Sequence, residues 1–228
     1  MRAMILAAGR GERMRPLTDR LPKPMLPVGG KPLIVWHLER LAAAGIRDVV
    51  INHAWLGHEI ERALGDGADF GVRIRYSPEG TALETAGGIA QALPLLGPAP
   101  FLVISGDIWC DWDVATAPAL AARLPADSAW LLMVDNPAHH PTGDFVLEPD
   151  GRVHDHGEPR LTYSGFGVYH PSLFAGIAPG TTAKLAPLLR QAMEQDTVRG
   201  ARHTGRWTDV GTPQRLADLD ALLAARPV

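Results

Sequence analysis

The sequence predicts an α/β fold: a mostly parallel sheet flanked by helices on both faces, followed by a small antiparallel lobe. Three observations predict it. Short apolar runs at residues 3–8, 48–53, 101–105 and 129–134 have strand length and no polar face, as strands covered on both sides do. Helical periodicity fills the stretches between them. Beyond Asn136 the pattern changes to short strand-like segments separated by Pro, Gly and Asp turns.

The elements follow in chain order. The first strand, 3–8, ends at a glycine turn. A helix over 32–44 opens on Pro32, whose fixed φ suits the first turn, and stops at Gly45. The strand at 48–53 comes next, then an alternating, more exposed one at 72–76. A helix over 85–96 places Ile89, Ala92, Leu93 and Leu96 on one face. Strand and helix alternate to about residue 135, which implies right-handed crossovers. Segments 144–147, 152–156 and 162–169 form the antiparallel part. Two helices close the chain: 184–195 carries Leu185, Leu188, Leu189, Ala192 and Met193 at helical spacing, and Thr212-Pro213 is an N-cap leading into Leu216, Leu219 and Leu223.

With 228 residues, 46% hydrophobic and 21% charged, the chain supports one sizeable core. One domain over 1–228 is expected, with a core to about 135 and a lobe with closing helices beyond it. The formal charge of −3 argues against a nucleic-acid partner, whose domains usually carry a basic face. A single cysteine, Cys110, excludes an internal disulfide and fits a reducing compartment. The apolar N-terminus is too short for a signal peptide, and no stretch is long enough to span a bilayer. A cytoplasmic protein without a membrane partner, a monomer or a small homo-oligomer, is the expectation.

Gly9 and Gly11 follow directly on the first strand. Glycines there allow a sharp turn whose successive N–H groups suit phosphate oxygens. Arg13 and Lys23 supply the cations that a polyphosphate needs. The spacing is neither G-x-G-x-x-G, because residue 14 is Met, nor a Walker loop, because no GK[ST] occurs. Five prolines between residues 16 and 32 imply one held shape.

The string GRGERMRPLTDRLPKPMLPV, from Gly9 onward, resembles the signature of the sugar-1-phosphate nucleotidyltransferases. That resemblance implies a Rossmann-like nucleotide-diphospho-sugar transferase fold. It implies transfer of a nucleotidyl group from a nucleoside triphosphate to a sugar 1-phosphate with release of pyrophosphate. It assigns nucleotide contacts to Leu6, Ala7, Ala8, Gly9, Gly11 and Glu12, with Arg13 on the β/γ-phosphates and Lys23 on the reacting phosphates. The segment Glu79 to Gly88 resembles the family's base-covering motif, E-x-x-x-L-x-T-A-G-[GA]. By that match Glu79 accepts a base N–H, and Thr85, Gly87 and Gly88 complete the edge. Many relatives have Gly where this chain has Glu84, whose role stays open.

The strand at 101–105 ends in Gly106-Asp107, and Asp209 lies between apolar neighbours just before the last helix. Each aspartate has a plain alternative as a turn or helix cap. Matching [SN]-G-D and W-x-D-[VI]-G-T motifs in the family make them the ligands of Mg²⁺, the implied cofactor, and the catalytic set Arg13, Lys23 and Asp107. Asp111 and Asp113 read as solvated loop residues. For the sugar phosphate the resemblance points to Gly143, Glu158, Ser164 and Gly165. The lysine of the family's E-K-P motif is replaced by Pro159, and Lys184 is the substitute cation, with Arg160 second. His139-His140, His154 and His156 have no zinc-like spacing and read as solvated loop histidines.

The strings INHAWLGHEIE, RYSPEGTALETAGGI, VDNPAHHPTGDF and KLAPLLRQAM are most similar to the branch that uridylylates N-acetylmuramate 1-phosphate, which favours UTP. Mannose-1-phosphate guanylyltransferases and glucose-1-phosphate thymidylyl- or uridylyltransferases are close alternatives. A non-catalytic nucleotide-sensing subunit is a remote one, since all four charged motif residues are present.

Overall fold

A computed structural model describes residues 1–224; the last four residues of the expected 1–228 unit lie outside the described residues. The chain runs β1 (Arg2–Leu6), β2 (Pro27–Val28), β3 (Lys31–Pro32), α1 (Leu33–Ala43), β4 (Asp48–His53), α2 (Gly57–Leu64), β5 (Arg73–Pro78), α3 (Glu84–Leu96), β6 (Phe101–Ser105) and β7 (Ile108–Cys110). It continues through α4 (Ala117–Ala121), β8 (Ala129–Val134), β9 (Phe145–Leu147), β10 (Val153–His154), β11 (Arg160–Tyr169), α5 (Leu185–Glu194), β12 (Val198–His203), β13 (Trp207–Asp209) and α6 (Pro213–Ala224). Among the described residues no helix is long and apolar enough to cross a membrane.

The sheet centres on β1, which pairs in parallel with β4 on one side and β6 on the other; β5 extends it beyond β4. Alternate residues of β1 feed opposite cores. Ala3 and Ile5 pack with Ile34, Leu38 and Leu41 of α1 and Ile60 of α2, whereas Met4 packs with Ile89 of α3 and Leu189 of α5. Both faces are therefore covered, and this is why the strand sequence shows no polar face. A third cluster joins Met14, Leu26 and Val28 to Trp36 of α1 and to Val210 and Leu219, seating α6 under the N-terminal loop.

The structure departs from the sequence reading on the far side of β6. The segment expected as a small antiparallel lobe is antiparallel and also enters the main sheet: β11 runs antiparallel to both β6 and β8 and so stands between two strands of one direction. β12, which no alternation announced, pairs in parallel with β8. Only β9 and β10, hung on the start of β11, form the expected antiparallel appendage. A register shift between Tyr163 and Gly167 bends β11 there. A short ladder, β13 antiparallel to β7, lies apart from the main sheet.

Candidate active site

Parallel strands present ligands at their carboxyl ends, beside the point where the connections diverge. Here β1, β4 and β6 end together, and a crevice of about 430 Å³ opens above them, walled by Leu6 to Gly9, Lys23, Pro24, Asn52, Ala82, Glu84, Thr85, Ser105 and Asp107. Seven of the expected residues, Leu6, Ala7, Ala8, Gly9, Lys23, Thr85 and Asp107, therefore line one cavity. Lys23, whose side chain is 11% exposed, forms an ion pair with Asp107. The two are 84 positions apart in the chain and meet because Gly106 donates to the carbonyl of Leu6 at 2.9 Å, drawing the end of β6 onto the end of β1.

The glycine loop has a fixed shape. It folds into three 3₁₀ turns, Glu12–Met14, Leu17–Asp19 and Lys23–Met25. The Thr18 hydroxyl donates to the carbonyl of Gly11 at 2.9 Å. The Arg10 guanidinium lies 3.6 Å from the ring centre of Trp55, whose indole N–H donates to the carbonyl of Thr18 at 2.9 Å. Arg10 also reaches Asp19 at 2.9 Å and, with Arg15, holds that exposed carboxyl below its usual range. Glu12 and Arg13 are exposed on the first turn, outside the crevice lining, and Gly11 takes a left-handed φ of 69°.

Glu79 lies behind the crevice wall. Its carboxylate accepts from the Asn52 side chain at 2.6 Å and from the Leu83 N–H at 2.8 Å, and Asn52 in turn accepts from the Ala7 N–H at 3.1 Å. The chain Ala7–Asn52–Glu79–Leu83 thus ties the nucleotide loop to the start of α3. Gly88 permits this contact, since a Cβ there would meet Glu79 Oε1 at 2.4 Å. The Gly87 N–H, expected at a base edge, donates to the Ala183 carbonyl at 3.0 Å, so α3 is capped by the segment before α5. Glu84 adopts φ 61°, a left-handed conformation that costs a residue with a Cβ about 1 kcal/mol, and glycine would adopt it without that cost.

Asp209 reaches the same end of the sheet through the small ladder. It pairs with Ile108, and the Val210 N–H donates to the Asp107 carbonyl at 2.8 Å, so the two aspartates are near neighbours in space. The Asp209 carboxylate accepts from Arg215 Nη1, 2.7 Å from each oxygen. His139 Nε2 lies 3.0 Å from Asp209 Oδ1. His139 is an exposed loop residue, as the sequence predicts, and the loop after β8 lays it beside the aspartate. Asp113 is exposed, as expected, and caps the turn at Ala115, while Asp111 accepts from the Arg206 N–H at 2.8 Å and contacts His203 at 2.7 Å.

The expected sugar contacts separate. Ser164 is fully buried; its hydroxyl accepts from the Phe166 N–H at 3.2 Å and its carbonyl from the Trp207 indole at 2.9 Å. The expectation that Ser164 touches a sugar hydroxyl is thereby corrected, because the bend in β11 turns it into the interior. Gly165, at φ 83°, lets the bend lie against Ser105 and Ile108. Gly143 packs under Asn136, Glu158 is exposed, and Lys184 is the exposed N-cap of α5, next to the Ala183 that caps α3. Arg160 is spent on the carbonyls of Asp144 and Asp155 and is unavailable as the substitute cation. Sequence reasoning missed Asn52, Arg215 and His139. For Asn52 the signal was a polar residue ending a buried strand; Arg215 and His139 carried none.

The loop, crevice and carboxylates are those of a nucleotidyl-transferring enzyme, and the chain belongs to the nucleotidyl transferase family, whose profile matches residues 2–226. It is 59% identical to an N-acetylmuramate alpha-1-phosphate uridylyltransferase of Neisseria meningitidis over 229 residues, 99% of each chain. It is 36% identical to the Caulobacter vibrioides protein of the same description, over 97% of this chain and 96% of that one. The fold matches a Bacillus anthracis crystal structure described as a glucose-1-phosphate thymidylyltransferase with a TM-score of 0.87, at 22% identity, covering 100% of this chain and 97% of that one.

Proposed function

We propose that this nucleotidyltransferase is a cytoplasmic enzyme, folded as one unit, that joins UTP to N-acetylmuramate 1-phosphate, giving UDP-N-acetylmuramate and pyrophosphate. What supports the reading is the Lys23–Asp107 pair in the crevice beside the glycine loop, with the chain at Asp209 tied to it by the Val210 N–H on the Asp107 carbonyl. The base and sugar follow the Neisseria relative, 59% identical from end to end.

Asp107 and Asp209 would hold Mg²⁺: their backbones are joined through the Val210 N–H, and carboxylates suit a hard cation that takes its other ligands from water and phosphate. When bound, Mg²⁺ neutralises phosphate oxygens and eases displacement at the α-phosphorus. The rest falls to the chain. Backbone N–H groups around Gly9 and Gly11 bind the triphosphate, and Arg13 steadies its outer phosphates. Lys23, partnered with Asp107, offsets the charge that builds on the reacting phosphates. Thr85, with Gly88 and the Glu79–Asn52 pair behind it, shapes the base wall; by the family motif alone, Gly143, Glu158, Gly165 and Lys184 would border the sugar. The attacking phosphate of the sugar is already ionised at neutral pH, so alignment and electrostatics supply catalysis without a general base.

The test is a matrix of nucleoside triphosphates against sugar 1-phosphates, read as pyrophosphate release. The highest kcat/KM is expected for UTP with N-acetylmuramate 1-phosphate. Preference for GTP with mannose 1-phosphate overturns the substrates and keeps the mechanism; no release with any pair overturns the reading of the site.

A further inference from the structure

Pro159 stands where the family motif carries a lysine, Arg160 is committed to backbone carbonyls, and Lys184 is the exposed N-cap of α5 with no contact to the Asp107–Asp209 region among the described residues, so the motif does not fix the cation of the sugar phosphate. The first turn of α6 holds a candidate. Arg215 grips Asp209 through Nη1, 2.7 Å from each carboxylate oxygen, and its Nε lies 3.4 Å from the Thr212 hydroxyl. Nη2 makes no hydrogen bond among the described residues and lies against Gly211, where a Cβ would come within 2.1 Å of it. The glycine of the Asp-Val-Gly-Thr step is therefore the bed of this guanidinium. The side chain is 18% exposed and Asp209 24%, so the pair borders solvent at the crevice end of the β13–β7 ladder.

We propose that Arg215 is the acceptor-phosphate cation of this enzyme, and that it reaches the phosphate by exchange. The same two oxygens of Asp209 cannot serve a guanidinium and a divalent cation at hydrogen-bond and coordination distance together, because the two positive charges would lie within a few ångströms of each other. Arg215 therefore releases Asp209 when the cation binds. Its flexible stem keeps it beside Gly211 and Thr212, and its planar fork matches a phosphate better than an ammonium does. The inference rests on Asp209 being a metal ligand, the reading given under the proposed function.

The experiment uses Arg215→Gln, Arg215→Lys and Asp209→Asn in the full chain, each checked for an unchanged thermal midpoint. Binding of Mn²⁺ to nucleotide-free protein is followed by electron paramagnetic resonance. Removing the competing guanidinium in Arg215→Gln should tighten Mn²⁺ by about fivefold, the scale of a partly exposed ion pair. In steady-state kinetics the same variant should raise KM for the sugar 1-phosphate by about tenfold, the scale of a charged hydrogen bond, with KM for UTP unchanged. Arg215→Lys should recover part of the acceptor KM. Unchanged or weaker Mn²⁺ binding in Arg215→Gln, or a rise in KM for UTP instead of the acceptor, overturns the proposal. If Asp209→Asn leaves Mn²⁺ binding unchanged, the metal assignment itself fails; if it weakens binding while Arg215→Gln fails to tighten it, the metal assignment stands and the proposal for Arg215 falls.

Discussion

The two sides of the crevice are assembled in different ways. The triphosphate side comes from one continuous stretch, β1 and the loop to Met25, pinned by contacts such as Thr18 to Gly11 and Arg10 on Trp55. The proposed acceptor side draws Asp107 from the end of β6 and, next to the crevice lining, His139 from the loop after β8, Asp209 from β13 and Arg215 from α6. A phosphate cradle needs consecutive backbone N–H groups and a nearby cation, and a contiguous motif can supply both. Recognition of a second substrate beside a carboxylate pair needs groups converging from several directions, and only packing supplies those.

The comparison can be broken from its shared centre. Asp107 belongs to both sides, through Lys23 and through the Val210 N–H on its carbonyl. Asp107→Asn should leave the fold intact and lower kcat by about a thousandfold, as loss of a principal charge-stabilising group does. Full Mg²⁺-dependent turnover in that variant would remove Asp107 from the chemistry.

A second prediction concerns the seam between the sides. His37 of α1 is 2% exposed, meets Phe166 of β11 edge-on with ring centres 5.9 Å apart, and has a buried Nε2 without a partner among the described residues. Burial, assisted by the Arg40 charge and opposed by an Ile108 backbone contact and by Asp107, pushes its pKa down to about 4 from 6.5. The folded value lies below the unfolded one, so the unfolded chain binds the extra proton. Stability is full above pH 6.5, falls as the pH drops towards about 4, and levels off beyond. The loss attributable to His37 is roughly 3 kcal/mol. Urea midpoints measured from pH 7 to pH 4 should show a slope that His37→Leu flattens.

The smallest effects sharpen the contrast most directly. Among the described residues no atom lies within 4 Å of a Cβ built at Gly9, whereas one at Gly211 meets Arg215. Gly9→Ala should keep stability within about 0.5 kcal/mol, and its cost, several-fold in KM, should fall on UTP. Gly211→Ala should dislodge Arg215 and place its several-fold cost on the sugar 1-phosphate. Equal effects on both substrates from either variant would show that the two sides are not separable.

Much of this was legible in the chain. The strands 48–53, 101–105 and 129–134 match β4, β6 and β8, because burial on both faces leaves an unbroken apolar run. The helices starting at Pro32 and Thr212 were announced by their caps. β12 escaped notice because Val198–His203 mixes arginine with glycine at a sheet edge, and α2 because a helix of eight residues shows barely two turns of periodicity. Asp107 and Asp209 stood out as charges beside apolar strand residues, whereas nothing in the sequence singled out Arg215 before the fold laid it on Gly211.

By itself the sequence determined the parallel core, the glycine–proline loop and the chemistry of its cations, since each depends on residues close together in the chain. The tertiary structure alone decided that β11 enters the main sheet, that Ser164 turns inward, and that His139 and Arg215 meet at Asp209. Those outcomes depend on strand register and on how one helix seats against another, and such choices are settled by the fit of distant surfaces.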